Sequence, residues 1–156
     1  MTGQLNGRSA VITGASRGLG REIARAFLEA GANVLITGRD ESRLQDAAVD
    51  LRRVSPHLHT VCGDIGDPGH AAHLARTAFD TLGNLHILVS NAGVYGPMGV
   101  LEENDADAWM DAVRINLFGP MLVYRAFLPH FRAQRYGKII QLSGGGATAP
   151  MARFSA

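Results

Sequence analysis

The sequence predicts an α/β fold with a doubly wound parallel sheet. Short apolar runs rich in Val, Ile and Leu alternate with helical patterns along all 156 residues. The runs lack a strict apolar–polar alternation, as expected for strands buried on both faces of a parallel sheet. The 19 glycines cluster at the ends of these runs, where α/β proteins place their ligand loops. Repeated β-α-β units imply right-handed crossovers, which favours the strand order 3-2-1-4-5.

Five strands and three helices can be placed. The strands are predicted at residues 9–13, 33–37, 59–62, 85–90 and 138–143. A first helix is predicted over residues 21–30, before the terminator Gly31, and its apolar face is formed by Leu19, Ile23, Ala26, Phe27 and Ala30. Asp67 and Pro68 predict the N-cap and first position of a second helix, whose apolar stripe ends at Leu82.

A long third helix is predicted from about Asp105 to Leu128. Asn116 is locally unfavourable in the middle of a helix. Pro120, four residues later, has no N–H to bond the Asn116 carbonyl. The sequence therefore predicts a local kink and a free main-chain carbonyl at Asn116.

Length and composition favour one soluble domain over residues 1–156, with 46% hydrophobic residues. A net charge of +1 without a basic or acidic block argues against nucleic acid and anionic membranes as partners. No apolar run approaches the roughly 20 residues of a membrane span, and no secretory signal is visible. The single cysteine, Cys62, fits a reducing compartment, so a cytoplasmic location is expected. Two histidine pairs, at positions 57/59 and 70/73, lack a third or fourth ligand in a matching pattern, so we expect exposed histidines and no metal site.

The segment Thr13-Gly14-Ala15-Ser16-Arg17-Gly18-Leu19-Gly20 carries the most information. It follows the first strand and opens the first helix. Glycine permits positive φ and lets a ligand approach the backbone closely. The first-turn N–H groups and the helix dipole favour an anion at this place. The pattern predicts a phosphate-binding turn, and a tight turn without any ligand is the alternative.

Three further motifs follow in order. Asp64 ends the third strand, Ser90-Asn91-Ala92-Gly93 ends the fourth, and Asn116 precedes Pro120. Together with the glycine-rich turn, they make the chain resemble a classical short-chain dehydrogenase/reductase, similar to 3-oxoacyl-ACP reductase-like members. The resemblance covers residues 7–156, roughly the N-terminal three-fifths of such an enzyme. It implies a Rossmann-type sheet with the C-terminal strands missing, and hydride transfer between NADP(H) and a carbonyl or secondary alcohol, in an enzyme that forms homo-oligomers.

The resemblance also implies a set of cofactor-binding residues. In the family, the glycines shape the turn under the pyrophosphate, and an aspartate at position 64 accepts a hydrogen bond from the adenine amino group. By the same resemblance, Asn91 ties neighbouring strands, and Gly93 lets the ribose pass. An ordinary loop aspartate is the alternative for Asp64. The expected cofactor-binding residues are Thr13, Gly14, Ser16, Arg17, Gly18, Leu19, Gly20, Arg39, Asp64, Ile65, Asn91, Ala92 and Gly93.

Charge favours NADP over NAD, although NAD stays possible. Family members that use NAD usually carry an acidic residue where Gly38 stands, to bond the ribose 2′-OH. A 2′-phosphate requires cations instead, and Arg17 and Arg39 are well placed to supply them. Asp40 is the counter-argument, because a shift of one residue would bring it near the ribose.

The expected catalytic residues are Ser143 and Asn116. By resemblance, the Asn116 carbonyl holds a water of a proton relay, and a kink that serves only packing is the alternative. Ser143 matches a Ser-x-x-Gly pattern, but the family's serine usually falls where Gly144 stands. The family's proton donor is the tyrosine of a Tyr-x-x-x-Lys motif.

This motif is absent from the chain. None of its tyrosines, Tyr95, Tyr124 and Tyr136, is followed by lysine four residues later. We would expect the motif just beyond Ala156, and we expect the chain to expose apolar surface on its long helix and fifth strand. A non-catalytic NAD(P)-binding module or a truncated remnant is therefore the alternative function.

Overall fold

The computed structural model describes residues 3–144, 148–149 and 151–153. Within them, five strands form one sheet in the order β3-β2-β1-β4-β5, and every neighbouring pair is parallel. The predicted fold class and strand order are confirmed. The strands are β1 (Ser9–Thr13), β2 (Asn33–Gly38), β3 (Leu58–Cys62), β4 (Ile87–Ser90) and β5 (Lys138–Gln141).

The carboxyl ends of the strands lie side by side along one edge of the sheet. Thr13 is opposite Thr37, and Ser90 is opposite Gln141. This register brings the loops that follow β1, β2, β4 and β5 to the same edge. It is the edge at which ligands bind in open α/β sheets.

In the described part of the chain, five α-helices connect and cover the strands. They are α1 (Gly18–Glu29), α2 (Glu41–Arg52), α3 (Pro68–Leu82), α4 (Ala106–Val113) and α5 (Gly119–Ala133). A short 3₁₀ turn, Leu101–Glu103, precedes α4, and a π-helix, Arg114–Phe118, joins α4 to α5. No helix in the described part of the chain has the length and apolar content to cross a membrane.

The two faces of the sheet have separate apolar cores, and β1 contributes to both. Ala10 and Ile12 face one core, which α1 and α2 complete. Val11 faces the other, together with Leu74 of α3 and Phe127 of α5. This alternation explains why β1 reads as a continuous apolar run, since every one of its residues is buried.

The segment around Asn116, where the sequence predicts a kink in the long helix, is a π-helix in which the Gly119 N–H bonds the Arg114 carbonyl. Pro120 explains the change of bonding pattern, because it cannot donate to the Asn116 carbonyl. The helix ends at Ala133 and not near Leu128, despite Pro129 in its last turns.

Other differences from the sequence prediction are also local. Strand β4 begins at Ile87 and β5 ends at Gln141, both shorter than predicted. The sequence prediction places Leu19 on the apolar face of α1, and this is wrong, since Leu19 is 60% exposed. The buried positions of α1 are Gly20, Ala24 and Leu28.

The expected exposure of apolar surface on α5 and β5 is confirmed. Strand β5 has no buried residue, and Ile139 and Ile140 are both exposed. Along the π-helix and α5, exposed apolar side chains include Leu117, Phe118 and Met121. This surface differs sharply from the fully buried β1.

Candidate functional site

Glycines let the loops after β1 and β4 pack against each other at the carboxyl edge of the sheet. Gly14 has a φ of +66°, and a Cβ added there would lie 2.6 Å from the Ala92 Cα. A Cβ on Gly20 would overlap the side-chain Nδ2 of Asn91. Both positions therefore require glycine because the neighbouring chain occupies the space of a side chain.

Asn91 and Thr13 lock these two loops together. The Asn91 Nδ2 donates to the carbonyls of Thr13 and Gly14, at 2.9 and 3.1 Å. The Thr13 Oγ1 accepts from the backbone N–H groups of Asn91 and Ala92, both at 3.1 Å. Asn91 thus ties neighbouring strands through its side chain.

The first turn of α1 faces open space. Gly18, its first residue, has a φ of +56°, and a Cβ there would meet nothing within 4 Å. The N-cap residue Arg17 is extended and gives no side-chain hydrogen bond to the helix. Leu19 is exposed beside it. The first-turn N–H groups of α1 thus have no side-chain cap, although such groups need an external acceptor.

The other three α-helices that begin after a loop in the described part of the chain are capped by aspartate. Asp40 accepts from the Arg43 N–H at the start of α2. Asp67 accepts from Gly69 and His70 at the start of α3. Asp105 accepts from the Ala108 N–H at the start of α4. The helix that follows the glycine-rich turn is the exception.

An arginine-rich cavity of about 380 Å³ lies between the glycine-rich turn and α2. Its lining residues are Ser16, Arg17, Arg21, Arg43, Asp46 and Ala47. Gly38, at the end of β2, makes room for Ser16, since a Cβ there would lie 3.1 Å from the Ser16 Oγ. Arg39 is exposed and does not line this cavity.

Asp40 is held at the start of α2. Its Oδ1 caps the helix at 3.1 Å from the Arg43 N–H, and its Oδ2 lies 3.2 Å from the Arg43 Nε. Both oxygens of the Asp40 carboxylate thus contact Arg43 of α2.

Asp64, after β3, is a partly buried carboxylate with two partners. Its Oδ1 accepts from the Gly66 N–H at 2.8 Å, and its Oδ2 accepts from Arg114 Nη2 at 2.7 Å. Burial acts to raise the pKa of this carboxyl, but the hydrogen bonds from Arg114 and Gly66 and the charges of Arg114 and Arg39 outweigh it and lower the pKa. Asp64 is therefore an ionised acceptor. The next residue, Ile65, is buried with its side chain against Gly119.

Asn116 fastens the loop after β4 to the π-helix. Its Oδ1 accepts from the Val94 N–H at 2.9 Å, and its Nδ2 donates to the Val94 carbonyl at 2.7 Å. A Cβ on Gly93 would lie 3.2 Å from the Asn116 Oδ1. This bidentate side-chain contact was not predicted, and the free carbonyl of Asn116 stays a prediction.

Ser143 lies two residues past the end of β5 and is exposed. The last two glycines of its Ser-x-x-Gly pattern, Gly145 and Gly146, lie outside the described residues. A cavity of about 730 Å³ opens beside this edge, and Asn116 lines it but Ser143 does not. Its lining residues are Asn116, Leu117, Pro120, Met121, Tyr124, Arg125, Leu128 and Gln141.

Among the histidines, His70 differs from the prediction. It is buried, with its Nε2 at 3.1 Å from the Thr37 Oγ1. Burial and the nearby charge of His73 lower its pKa, against the smaller raising effects of Asp67 and Asp64. Within residues 3–144, 148–149 and 151–153, no group of three or more His, Cys, Asp or Glu side chains is placed to hold a metal ion.

Three arginines at or near the site were not predicted from the sequence. Arg21 and Arg43 line the first cavity, and Arg114 bonds Asp64. Arg43 lies four residues after Arg39, on the first turn of α2, and that helix was not predicted because its exposed faces are rich in charge. No local pattern links Arg114 to a partner fifty positions earlier.

The chain matches known proteins along nearly its whole length. The family model described as short chain dehydrogenase matches residues 8–156. The short chain dehydrogenase tazN of Aspergillus terreus is 36% identical over 128 residues, which are 80% of this chain and 28% of that protein. The 1-deoxy-11-beta-hydroxypentalenate dehydrogenase of Streptomyces exfoliatus is 36% identical over 126 residues, which are 80% of this chain and 46% of that protein.

A solved structure agrees in both sequence and fold. A metagenomic short-chain oxidoreductase in complex with NADP is 33% identical, with a TM-score of 0.89. The match covers 96% of this chain and 68% of that one. The chain thus spans less than half the length of the two curated relatives named above. With the parallel sheet and the glycine-rich turn, the match over residues 8–156 shows that the chain belongs to the short-chain dehydrogenase family.

Proposed function

We propose that this protein is an NAD(P)-dependent oxidoreductase that transfers hydride between NADP(H) and a carbonyl or secondary alcohol. The observation that carries the proposal is the start of α1, where a glycine-rich turn leaves the first-turn N–H groups without a side-chain cap. The open space at Gly18 fits a ligand that approaches the backbone. A dinucleotide pyrophosphate matches this geometry, because helix N-termini stabilise phosphate groups.

The residues around the turn would hold the two halves of the cofactor. Gly14, Gly18 and Gly20 shape the turn, with Thr13 fixing the loop after β4 through its hydroxyl. The pyrophosphate would lie on the backbone from Ser16 to Leu19. The adenine would lie near Asp64 and Ile65, and the ribose on the nicotinamide side would pass the loop that contains Asn91, Ala92 and Gly93.

The charges near β2 support a preference for NADP. The cavity that would face the adenosine ribose is lined by the guanidinium groups of Arg17, Arg21 and Arg43 and by the Asp46 carboxylate, and the Arg43 guanidinium also pairs with Asp40. Arginine binds phosphate oxygens through charge-assisted hydrogen bonds. The carboxylate that would favour NAD, Asp40, is engaged with α2. We include Arg39 as a further cation at the exposed rim, and the NADP in the metagenomic relative supports the same choice.

When bound, the nicotinamide ring supplies the hydride donor or acceptor. The chain would contribute to the proton side of the reaction. The Ser143 hydroxyl can donate a hydrogen bond to a substrate oxygen, and the Asn116 carbonyl can hold a water. None of the tyrosines in this sequence stands in a Tyr-x-x-x-Lys motif, so we assign no proton donor to them.

The substrate would be a small molecule. We also propose that the protein is cytoplasmic and that it forms a homo-oligomer. The exposed apolar side chains of the π-helix and α5 support self-association, because large exposed apolar patches mark interaction surfaces. Size-exclusion chromatography with light scattering tests this part of the proposal. A monomer at all protein concentrations would contradict it.

Calorimetric titration with NADPH and NADH tests the cofactor assignment. We expect NADPH to bind at least tenfold more tightly, since each charge-assisted hydrogen bond to a phosphate contributes about 1.5–3 kcal/mol. Arg17→Gln and Arg43→Gln should each reduce that ratio by weakening NADPH alone. Arg132→Gln, which alters an exposed arginine near the end of α5, is the matched control and should change neither affinity.

The outcomes separate the proposal from its alternatives. No binding of either nucleotide to the folded protein would overturn it. NADPH binding without turnover across a panel of ketones would favour a non-catalytic binding module. Equal affinity for NADH and NADPH would remove the assigned role of the arginine-rich cavity.

A further inference from the structure

Arg114 joins two parts of the molecule that are distant in sequence. It is the first residue of the π-helix, and its Nη2 lies 2.7 Å from Asp64 Oδ2 in the loop after β3. The same guanidinium donates from Nε and Nη2 to Asp111 Oδ1 of α4, at 3.0 and 2.8 Å. Two carboxylates therefore hold one guanidinium, and both accept from its Nη2.

The backbone on both sides of this bridge packs closely against it. A Cβ on Gly66 would lie 2.0 Å from the Arg114 Nη1, so the loop passes directly against the guanidinium. A Cβ on Gly119, just after the π-helix, would lie 2.9 Å from the Ile65 Cδ1. Two glycines thus let the loop after β3 and the π-helix approach each other closely.

The bridge orients Asp64 without using up its capacity as an acceptor. An ionised carboxylate offers about four lone-pair sites. Asp64 uses one for the Gly66 N–H and one for Arg114, and its side chain is 33% exposed. The remaining sites can accept a hydrogen bond from a ligand while the carboxylate is held in one orientation.

We propose that Arg114 is a positioning residue that holds the Asp64 carboxylate in place to accept a hydrogen bond from the 6-amino group of a bound purine nucleotide. The inference rests on the proposed nucleotide binding and adds a residue to it. Arg114 does not contact the purine itself. It makes the site selective for a 6-amino over a 6-oxo purine, because a fixed acceptor rewards a donor and repels an oxygen.

The test compares NADPH with its reduced hypoxanthine analogue, which carries an oxygen in place of the 6-amino group. Both are titrated calorimetrically into the wild-type protein and into Arg114→Gln. We expect the wild-type protein to favour NADPH by about tenfold, the effect of one hydrogen bond to a charged group. Arg114→Gln should lose most of this ratio through weaker NADPH binding, and its affinity for the analogue should change by less than about twofold.

Further variants separate positioning from general damage. Arg114→Lys keeps a cation that can reach one carboxylate but not both, so it should restore part of the ratio. Asp111→Asn keeps the pair between Asp64 and Arg114 but weakens its second anchor, so it should give an intermediate ratio. Arg132→Gln should behave as wild type. Thermal denaturation of each variant confirms folding, and if Arg114→Gln does not fold, the lysine and Asp111 variants carry the test.

Three results would overturn the inference, and they are distinguishable. An unchanged ratio in Arg114→Gln, or in the lysine and Asp111 variants, would leave nucleotide binding intact but remove the role of Arg114. Equal losses for both nucleotides would show that Arg114 only supports the fold. If the wild-type protein binds neither nucleotide, the proposed function and this inference both fail.

Discussion

The first turns of α1 and α3 both need acceptors for their free N–H groups, and the two turns differ in how these groups are satisfied. Both helices follow a parallel strand and a short loop, and both expose N–H groups without intrahelical partners. In α3, Asp67 accepts from two of them, and Pro68 at the start lacks an N–H altogether. In α1, Arg17 stands at the N-cap and provides no acceptor.

The two helix starts therefore differ in role. The start of α3 is stabilised within the chain, whereas the start of α1 is open to a ligand. Asp67 stabilises α3 within the chain itself, and Asp40 and Asp105 do the same for α2 and α4. The start of α1 combines an absent cap with Gly18, where an added Cβ would meet nothing within 4 Å. A bound anion would stabilise this turn in the way that aspartate stabilises the others.

The largest effect should come from adding a methyl group to the glycine-rich turn at Gly14. Gly14→Ala should lower the free energy of unfolding by about 3 kcal/mol or more, through positive-φ strain and overlap with Ala92. Gly18→Ala is the matched variant, because its φ is also positive but its surroundings are open. It should cost only about 1 kcal/mol of stability. Urea denaturation of both variants measures the two costs.

Nucleotide titration then separates the two glycines by function. Gly18→Ala should still fold and bind NADPH at least tenfold more weakly, because its new methyl group would occupy ligand space. Wild-type affinity in folded Gly18→Ala would contradict the proposed position of the pyrophosphate. Equal stability losses for the two variants would contradict the packing described for Gly14.

Placing a cap on α1 should remove its difference from α3. Arg17→Asp introduces an acceptor at an N-cap with extended backbone, so it should raise the free energy of unfolding by about 0.5–1 kcal/mol. It should also abolish measurable NADPH binding, because the new carboxylate takes the place of a phosphate. Arg17→Ala is the control, which should weaken binding without stabilising the protein. If Arg17→Asp is more stable but binds NADPH with normal affinity, the proposed anion site at the start of α1 would be contradicted.

Removing the cap from α3 should have the opposite signature. Asp67→Ala should lower the free energy of unfolding by about 1 kcal/mol, through loss of the bonds to Gly69 and His70. Its affinity for NADPH should be unchanged, since this helix start is built for the fold alone. Chemical denaturation and calorimetry on the same preparation test both statements, and a large loss of affinity would count against them.

The smallest effect concerns pH and the buried His70 in the first turn of α3. Its lowered pKa means that the unfolded chain binds the proton more readily than the folded one. The neutral His70 side chain contributes fully to the free energy of unfolding above its unfolded pKa of about 6.5, and this contribution is lost as the pH falls below that value. His70→Gln should therefore show a shallower fall in unfolding free energy between pH 7.5 and about pH 5.5. Urea denaturation at both pH values measures it, and identical falls would contradict the assignment.

The fold could be predicted from sequence because its determinants are local. The apolar runs, the cap at Asp67 and the proline that follows Asn116 each act within a few residues. They correctly predicted the sheet order, and the kink predicted at Asn116 falls within the π-helix. The prediction for Leu19 was wrong because helical periodicity cannot distinguish a core position from an exposed position beside a ligand-binding turn.

The site could be predicted only in part, since its remaining contacts join distant segments. The glycine-rich turn is a contiguous motif, so it could be recognised. The bridge from Arg114 to Asp64 spans 50 positions, and the contact of Asn116 with Val94 spans 22. The interpretation of Asp40 needed the structure, because only the start of α2 shows that its carboxylate is engaged.

The backbone amide NMR signals of both helix starts, followed while NADPH is added, test the proposed anion site at α1 directly. We expect large shifts for Gly18, Leu19 and Gly20, whose N–H groups would meet the pyrophosphate, and little change for Gly69 and His70, which Asp67 already caps. Saturating NADPH that leaves the first turn of α1 unshifted would contradict it.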